Sequence, residues 1–320
     1  MTGKRVLVTG AGGFIGRWSV PPLLAEGYEV HAVTRAAGLD VPAQLRGAEL
    51  HATDLLDAAA TERLLNRVRP THLLHFAWIA TPGIYWTSDE NRRWLASSTQ
   101  LLRHFQAQGG VRAVMAGTCA EYDWSQAEVC IEGVSALADE AGATITPYAQ
   151  SKLALYRELQ GIGRGGDLST AWGRIFFQYG PDEHPDRLVA SVIINLLQGR
   201  EAACSHGRQV RSFLHVADVG AAFAALLRSG VDGPVNVGSG DRTRIADVLG
   251  RIGAQIGRPE LVRLGARPAS PSEPALLVPD VSRLRDEVGF LPRFDLDDGL
   301  ADTIGWWRGK LQRDGSAARR

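Results

Sequence analysis

The sequence predicts a doubly wound α/β fold: a parallel sheet with helices on both faces, followed by a smaller C-terminal substrate-binding lobe. Three observations carry that expectation. Short apolar runs alternate with helix-period stretches through the first half of the chain. A glycine triplet stands between the first apolar run and the first helical stretch. Beyond Pro181 the alternation loosens and Pro, Gly and Arg become more frequent.

Val6-Leu7-Val8 reads as the first strand, then a glycine loop and a helix from Phe14 to Glu26. Tyr28 to Thr34 and Ala48 to Thr53 read as the next strands, the second closed by Asp54. A helix over residues 57–68 leads to a buried strand, His72 to Ala77, and a helix from about Asn91 to Gln108 leads to Ala113-Val114-Met115-Ala116. Right-handed crossovers between such strands make the sheet doubly wound. Later, a helix from Pro147 is expected to end before Gly161, Thr170 to Phe177 reads as the sixth strand, and a helix covers about Arg187 to Leu197. The nucleotide-binding unit is expected over residues 1–176, with segments about 212–238 returning to it. The substrate lobe takes most of 177–320. Its proline-rich run at 266–279 is expected to pass over the substrate, and Arg313 to Arg320 to fray.

Thirty-five basic residues cancel thirty-five acidic ones among 320, so no net field draws nucleic acid or an anionic membrane. Cys119, Cys130 and Cys204 are too few and scattered for a disulfide scaffold or a cysteine zinc site, and no metal is expected. No apolar run approaches the roughly 18 residues of a membrane span, and the start does not read as a signal peptide. The expected setting is the cytoplasm.

In Thr9-Gly10-Ala11-Gly12-Gly13-Phe14-Ile15-Gly16 the glycines fall three apart at 10, 13 and 16. Gly10 suits a tight turn, Gly13 a close approach to a pyrophosphate, and Gly16 close helix–strand packing. The second strand ends Val33-Thr34-Arg35, with a guanidinium where an acidic residue would hold a ribose 2′-hydroxyl. Arg35 fits a 2′-phosphate, which makes NADP(H) the expected cofactor; the alternative is a solvated surface arginine. Asp54 is expected at the adenine amino group, or else as a helix cap. The expected cofactor contacts are Gly10, Gly13, Phe14, Ile15, Gly16, Arg35, Asp54, Leu55, Ala77, Tyr148 and Lys152.

Tyr148 and Lys152 stand four apart, on one face of a helix. A neighbouring cation lowers a phenol's pKa and makes it usable for proton transfer near neutrality. Thr118 follows the Ala113–Ala116 strand, at the edge where such sheets bind ligands. Trp78, Trp86, Trp94 and Trp124 lie in segments flanking the expected cleft, for stacking on sugar or base or for packing.

With these residues together the chain resembles the extended short-chain dehydrogenase/reductases, Rossmann-fold enzymes that modify nucleotide-activated sugars. The resemblance spans nearly the whole length. It rests on the glycine triplet, Thr118, Tyr148-x-x-x-Lys152, Arg174-x-x-x-x-Tyr179-Gly180-Pro181, Arg211-Ser212-Phe213-Leu214-His215-Val216-x-Asp218 and Asn236-Val237-Gly238. It implies that Tyr148 is the acid/base, that Lys152 binds the nicotinamide ribose and tunes Tyr148, and that Thr118 hydrogen-bonds the substrate oxygen. Arg211 is then expected on the diphosphate, a structural salt bridge being its alternative. Phe177 replaces an asparagine usual in 4-epimerases, and Glu273 falls at the acidic position of the late loop, while Ser270 replaces a basic residue. His215 and Asp218 are expected to hold a turn and cap a helix.

Dehydratases of this group place an acidic pair directly after the threonine; here stand Cys119 and Ala120, and Glu121 comes one place late. The run Gly117-Thr118-Cys119-Ala120-Glu121-Tyr122 looks most like the 4-ketoreductases of deoxysugar nucleotides. The expected function is NADPH-dependent reduction of the C4 ketone of a nucleotide diphosphate 6-deoxy-4-ketohexose. Its rivals are a 4-epimerase and a redox-silent NADP-binding regulator. The resemblance also implies a homodimer paired through a four-helix bundle, to which Leu95, Leu101, Leu102, Phe105, Leu153, Leu155 and Leu159 would contribute.

Overall fold

The computed structural model describes residues 3–35, 41–125, 129–139, 145–270 and 273–317. Seven strands form the main sheet: β1 (Arg5–Thr9), β2 (Glu29–Thr34), β3 (Glu49–Ala52), β4 (His72–His75), β5 (Arg112–Thr118), β6 (Ser169–Ile175) and β7 (Gly233–Val237). Every neighbouring pair is parallel, in the order β3-β2-β1-β4-β5-β6-β7. The carboxyl ends of the strands therefore share one edge, and the loops that leave it carry the candidate site.

Alternation within each strand feeds a core on each face. Val6 and Val8 of β1 pack under α1 (Gly16–Ala25) with residues of a later helix, Val216–Arg228. Leu7 points the other way, toward α2 (Ala58–Val68), α3 (Glu90–Ala107) and α4 (Pro147–Gly165). Each such fully buried side chain contributes about 1.5–3 kcal/mol relative to exposure. Asp57 caps α2 by accepting from the Ala60 amide at 3.0 Å. Thr146 caps α4 from the Ala149 amide at 3.2 Å, with Pro147 at the first helical position.

Two expected boundaries are corrected. The helix from Pro147 continues to Gly165 instead of ending before Gly161. Leu155, Leu159 and Ile162 carry its apolar stripe onward against the core, which outweighs the roughly 1 kcal/mol that a helical glycine costs. The strand expected through Phe177 leaves the main sheet after Ile175, and Phe177–Tyr179 pairs instead with Phe213–His215.

The later helices are α5 (Leu188–Leu197), α6 (Val216–Arg228), α7 (Ile245–Ile256) and α8 (Leu296–Ala317). The α6 helix packs on α1, and β7 pairs with β6, so this part of the chain returns to the main sheet. α5, α7 and α8 enclose a separate apolar cluster around Ile193, Leu249 and Leu300. A small sheet joins Val210–Arg211 to Thr243–Arg244, to Leu276–Pro279 and, through the last, to Val129–Cys130. The proline-rich run thus ends as a strand; residues 271–272 within it lie outside the described residues. α8 runs through Ala317, and of the tail expected to fray from Arg313, residues 318–320 lie outside the described residues.

Of the leucines and phenylalanine expected at a dimer interface, Leu101, Leu102, Phe105, Leu153, Leu155 and Leu159 are buried within the chain itself. On β2 and β3, His31, Glu49 and His51 bring possible metal-ligating atoms together. Their ring nitrogens are already linked in a chain, Arg67 to His51, His51 to His31 and His31 to Glu29, at 3.0–3.1 Å. Among the described residues no helix is long and apolar enough to cross a membrane.

Candidate active site

The glycine loop forms the turn from β1 into α1. Gly10 has φ +65°, and a Cβ there would stand 2.8 Å from the Ala77 amide nitrogen. A Cβ on Gly16 would meet the Gly10 carbonyl at 2.3 Å, so the helix can start this close to the strand only with glycine. Ile15 at the N-cap offers no side-chain cap, and no acidic residue lies in the first turn of α1. The Arg17 and Trp18 amides already donate to the Gly13 and Ile15 carbonyls, which leaves the Phe14, Ile15 and Gly16 N–H groups for an anion among the described residues. Phe14 and Ile15 are half-buried and Gly13 is exposed. This cradle fits a dinucleotide pyrophosphate.

The remaining residues expected at the cofactor lie on the same edge. Arg35 is exposed just beyond β2; residues 36–40 after it lie outside the described residues. Asp54 Oδ1 accepts from the Leu56 amide at 3.0 Å, so Asp54 shapes a turn while Asp57 caps α2. Leu55 is buried, its carbonyl accepting from the hydroxyls of Thr61 and Ser97. Ala77 donates its amide to Thr9 Oγ1 at 3.3 Å.

Thr118 closes β5, and its hydroxyl accepts from the Ala120 amide at 3.2 Å. It also lies near enough to the Tyr148 phenol to act on its pKa. Tyr148 opens α4, its amide donating to the Trp86 carbonyl at 3.3 Å. The rings of Tyr85 and Trp86 stand edge-on to it, with centroids at 4.8 and 5.6 Å. Trp124 stands edge-on to Trp86 and donates Nε1 to the Cys119 carbonyl.

Lys152 lies one turn further along α4, almost fully buried. Its Nζ donates to the Ala116 carbonyl at 2.8 Å and sits 4.0 Å from the Trp78 ring centroid. Burial pulls the ammonium down to about 7, with Glu121 acting in the opposite sense. The expected lowering of Tyr148 by Lys152 is corrected: burial raises the phenol, Tyr85 adds to the rise, and Thr118 opposes it. Tyr148 is therefore a neutral proton donor at neutral pH, beside a second hydroxyl. That pair can polarise and protonate a substrate oxygen.

Glu121 turns into the core. Its carboxylate accepts from the Thr118 amide at 2.8 Å, Trp172 Nε1 at 2.9–3.0 Å and Arg174 Nε at 2.8 Å, with no side-chain exposure. Burial works against the Arg174 charge, but Glu121 and Tyr122 together outweigh it, so the Arg174 pKa is raised. The one-residue shift noted in the sequence thus directs this carboxylate away from the pocket.

Arg211 is buried, with its guanidinium carbon 5.2 Å from the Phe177 ring centroid. Its Nη2 donates to Glu273 at 2.9 Å, and Glu273 also accepts from Gln209. Arg211 Nε has no hydrogen-bond partner among the described residues. Cys119 lies within electrostatic reach of both Arg211 and Tyr148, which puts the thiol between the guanidinium and the phenol in charge interaction with each. His215 caps α6 from the Ala217 amide, and Asp218 accepts from the amides of Arg293 and Phe294. Of the four flagged tryptophans, Trp86 flanks Tyr148, Trp124 stands against Trp86, Trp78 covers Lys152, and Trp94 is core. Sequence reading missed Tyr85, in the loop before α3, and Asn91, in the first turn of α3, because neither local pattern shows what it folds against.

A model of the NAD dependent epimerase/dehydratase family matches residues 6–238. A dTDP-4-dehydro-6-deoxy-D-allose reductase of Streptomyces sp is 28% identical, over 96% of this chain and 97% of that protein. A dTDP-glucose 4,6-dehydratase of Streptomyces griseus is also 28% identical, over 94% and 93%. The solved UDP-glucose 4-epimerase of Thermus thermophilus, in complex with NAD, is 28% identical with a TM-score of 0.78, over 95% and 99%. Three reactions stand at equal distance, and what unites them is the family: this chain is a member of the NAD dependent epimerase/dehydratase family, the extended short-chain dehydrogenase/reductases that act on nucleotide sugars.

Proposed function

We propose that the protein reduces the C4 ketone of a nucleotide diphosphate 6-deoxy-4-ketohexose with NADPH. One observation carries the choice among the family's reactions. Directly after Thr118 stand Cys119 and Ala120, and the nearest carboxylate, Glu121, is committed to Trp172 and Arg174. Among the described residues no carboxylic acid and carboxylate pair follows Thr118 to eliminate water, whereas the Thr118 and Tyr148 hydroxyls that a ketone needs act on one another. The thiol that takes the first acidic position is no substitute, because burial raises Cys119 to about 12.

In this reading Tyr148 supplies the proton to the C4 oxygen, Thr118 donates the second hydrogen bond, and Lys152 holds the nicotinamide ribose. The nicotinamide supplies the hydride when bound. Arg211, whose Nε is unsatisfied, takes a diphosphate oxygen, with Phe177 and Glu273 at its flanks. Gly10, Gly13, Phe14, Ile15, Gly16, Arg35, Asp54, Leu55 and Ala77 form the dinucleotide site, and Arg35 favours the 2′-phosphate. The functional unit is a homodimer paired on the outer faces of α3 and α4, where a groove is lined by Arg103, Gln106, Arg157 and Glu158.

A 4-epimerase is the second reading, favoured by the Thermus relative at 28% identity. The deciding experiment offers NADPH and a panel of 4-keto nucleotide sugars, follows loss of reduced nicotinamide and determines the product configuration. Stoichiometric NADPH consumption supports the reductase. Interconversion of UDP-glucose and UDP-galactose with no net nicotinamide change overturns it in favour of the epimerase.

A further inference from the structure

Asn91, at the start of α3, has no exposed surface and uses its amide in three directions. Its Nδ2 donates to the Tyr85 carbonyl at 2.7 Å and the Ser88 carbonyl at 2.8 Å. Its Oδ1 accepts from Trp78 Nε1 at 2.8 Å. A buried primary amide satisfied this fully fixes whatever it holds, because releasing any of these bonds strands a buried polar group.

What it holds lies on both halves of the catalytic pair. The Tyr85–Trp86 segment gives two rings to the flanks of Tyr148 and the Trp86 carbonyl to the Tyr148 amide. Trp78 gives its π face to Lys152 Nζ. A cation over an indole face is stabilised, most where water is excluded, and Lys152 is 3% exposed.

We infer that Asn91 is a positioning residue that sets Tyr148 and Lys152 together, pinning the Trp86 segment against the phenol and the Trp78 ring under the ammonium. This rests on the assignment of Tyr148 and Lys152 as the catalytic pair. The inferred link predicts a pH signature. Burial opposes the charge on Lys152, while Glu121 and the Trp78 face support it. His75, buried nearby and lowered to about 3, stays neutral, and Tyr148 stays protonated. Loss of the π face therefore lowers the Lys152 pKa further, and anything that needs the ammonium fails at a lower pH.

The test measures NADPH affinity by fluorescence titration across pH, and turnover with dTDP-4-keto-6-deoxy-D-glucose, for wild type, Asn91→Ala, Trp78→Leu and Trp78→Phe. Asn91→Ala should lower kcat by about 10- to 100-fold, the scale of a small misplacement of reacting groups, with the sugar-nucleotide KM within about threefold. Trp78→Leu should move the alkaline limb of NADPH affinity to lower pH. Trp78→Phe, which keeps a ring but loses the donor to Asn91, should restore the limb and not kcat. The Trp78 variants keep the idea testable should Asn91→Ala fail to fold. Folded Asn91→Ala with wild-type kcat, or Trp78→Leu with an unmoved limb, overturns the inference. Tyr148→Phe and Lys152→Ala in parallel separate the two levels. If these retain activity the catalytic assignment itself falls; if they lose it while the Asn91 and Trp78 variants do not, only the positioning role falls.

Discussion

Replacing Glu121 by glutamine separates a structural carboxylate from a reacting one. In the structure one oxygen accepts from the Thr118 amide and the other from Arg174 Nε, with Trp172 Nε1 between them. The amide keeps an oxygen for Thr118 but turns an NH2 donor toward the Arg174 donor. Arg174, with a side chain 2% exposed, keeps the Tyr122 hydroxyl at 3.2 Å and its place over the Tyr156 ring but loses its carboxylate. Stranding one member of a buried ion pair costs about 3–5 kcal/mol. A chain of 320 residues unfolds with an entropy of about 0.7 kcal/mol per kelvin, so calorimetry should show Tm falling by about 4–7 °C. Neutralising Glu121 also withdraws support from the Lys152 ammonium. Turnover is therefore compared near pH ~6, below the lowered Lys152 pKa, and well below the transition, where kcat should stay within about threefold of wild type. The double variant Glu121→Gln/Arg174→Met should recover part of the lost Tm, because it removes the stranded charge. Unchanged Tm with abolished turnover would refute the reasoning and make Glu121 an acid that meets the substrate.

Tyr148→Phe removes only the phenol oxygen, so kcat should fall by about 10²–10⁴-fold with NADPH affinity within about threefold; wild-type kcat would place the proton elsewhere. Wild type should bind NADPH at least about tenfold more tightly than NADH, some 1.4 kcal/mol, and Arg35→Asp should invert the order; equal affinities in fluorescence titration defeat the 2′-phosphate role. Glu183 is buried beside α5, and burial raises its carboxyl to about 8, with Arg187 and the Ala190 amide opposing. A folded pKa above the unfolded one gives stability that is complete below the unfolded pKa and is lost as pH rises through about 8. Glu183→Gln should therefore flatten the decline of Tm between pH ~5 and ~9; parallel declines would exonerate this carboxyl. Light scattering at micromolar concentration should show a dimer, and a 34.5 kDa species alone counts against the pairing on α3 and α4.

Much of this protein follows from its amino-acid order alone. Continuous apolar runs such as Val6-Leu7-Val8, alternating with helix-period stretches, dictate a parallel sheet, because strands buried on both faces need helices on both faces. The glycines at 10 and 16 and the Tyr148/Lys152 spacing carry their chemistry locally: backbone conformation, close approach and helical pitch are set within a few residues. Tertiary structure decided what depends on contacts distant in sequence. Gly161 does not end α4, since Leu155, Leu159 and Ile162 have a sheet to bury against. Glu121, one residue past an expected catalytic position, is spoken for by Arg174 and Trp172 from a strand more than fifty residues away. Tyr148 is raised, not lowered, because desolvation by its aromatic surroundings acts on the phenol while Lys152 is held by Ala116 and Trp78. Sequence spacing specifies which groups share a helix face; only the folded surroundings specify how much water, charge and hydrogen bonding each group keeps, and that decides its chemistry.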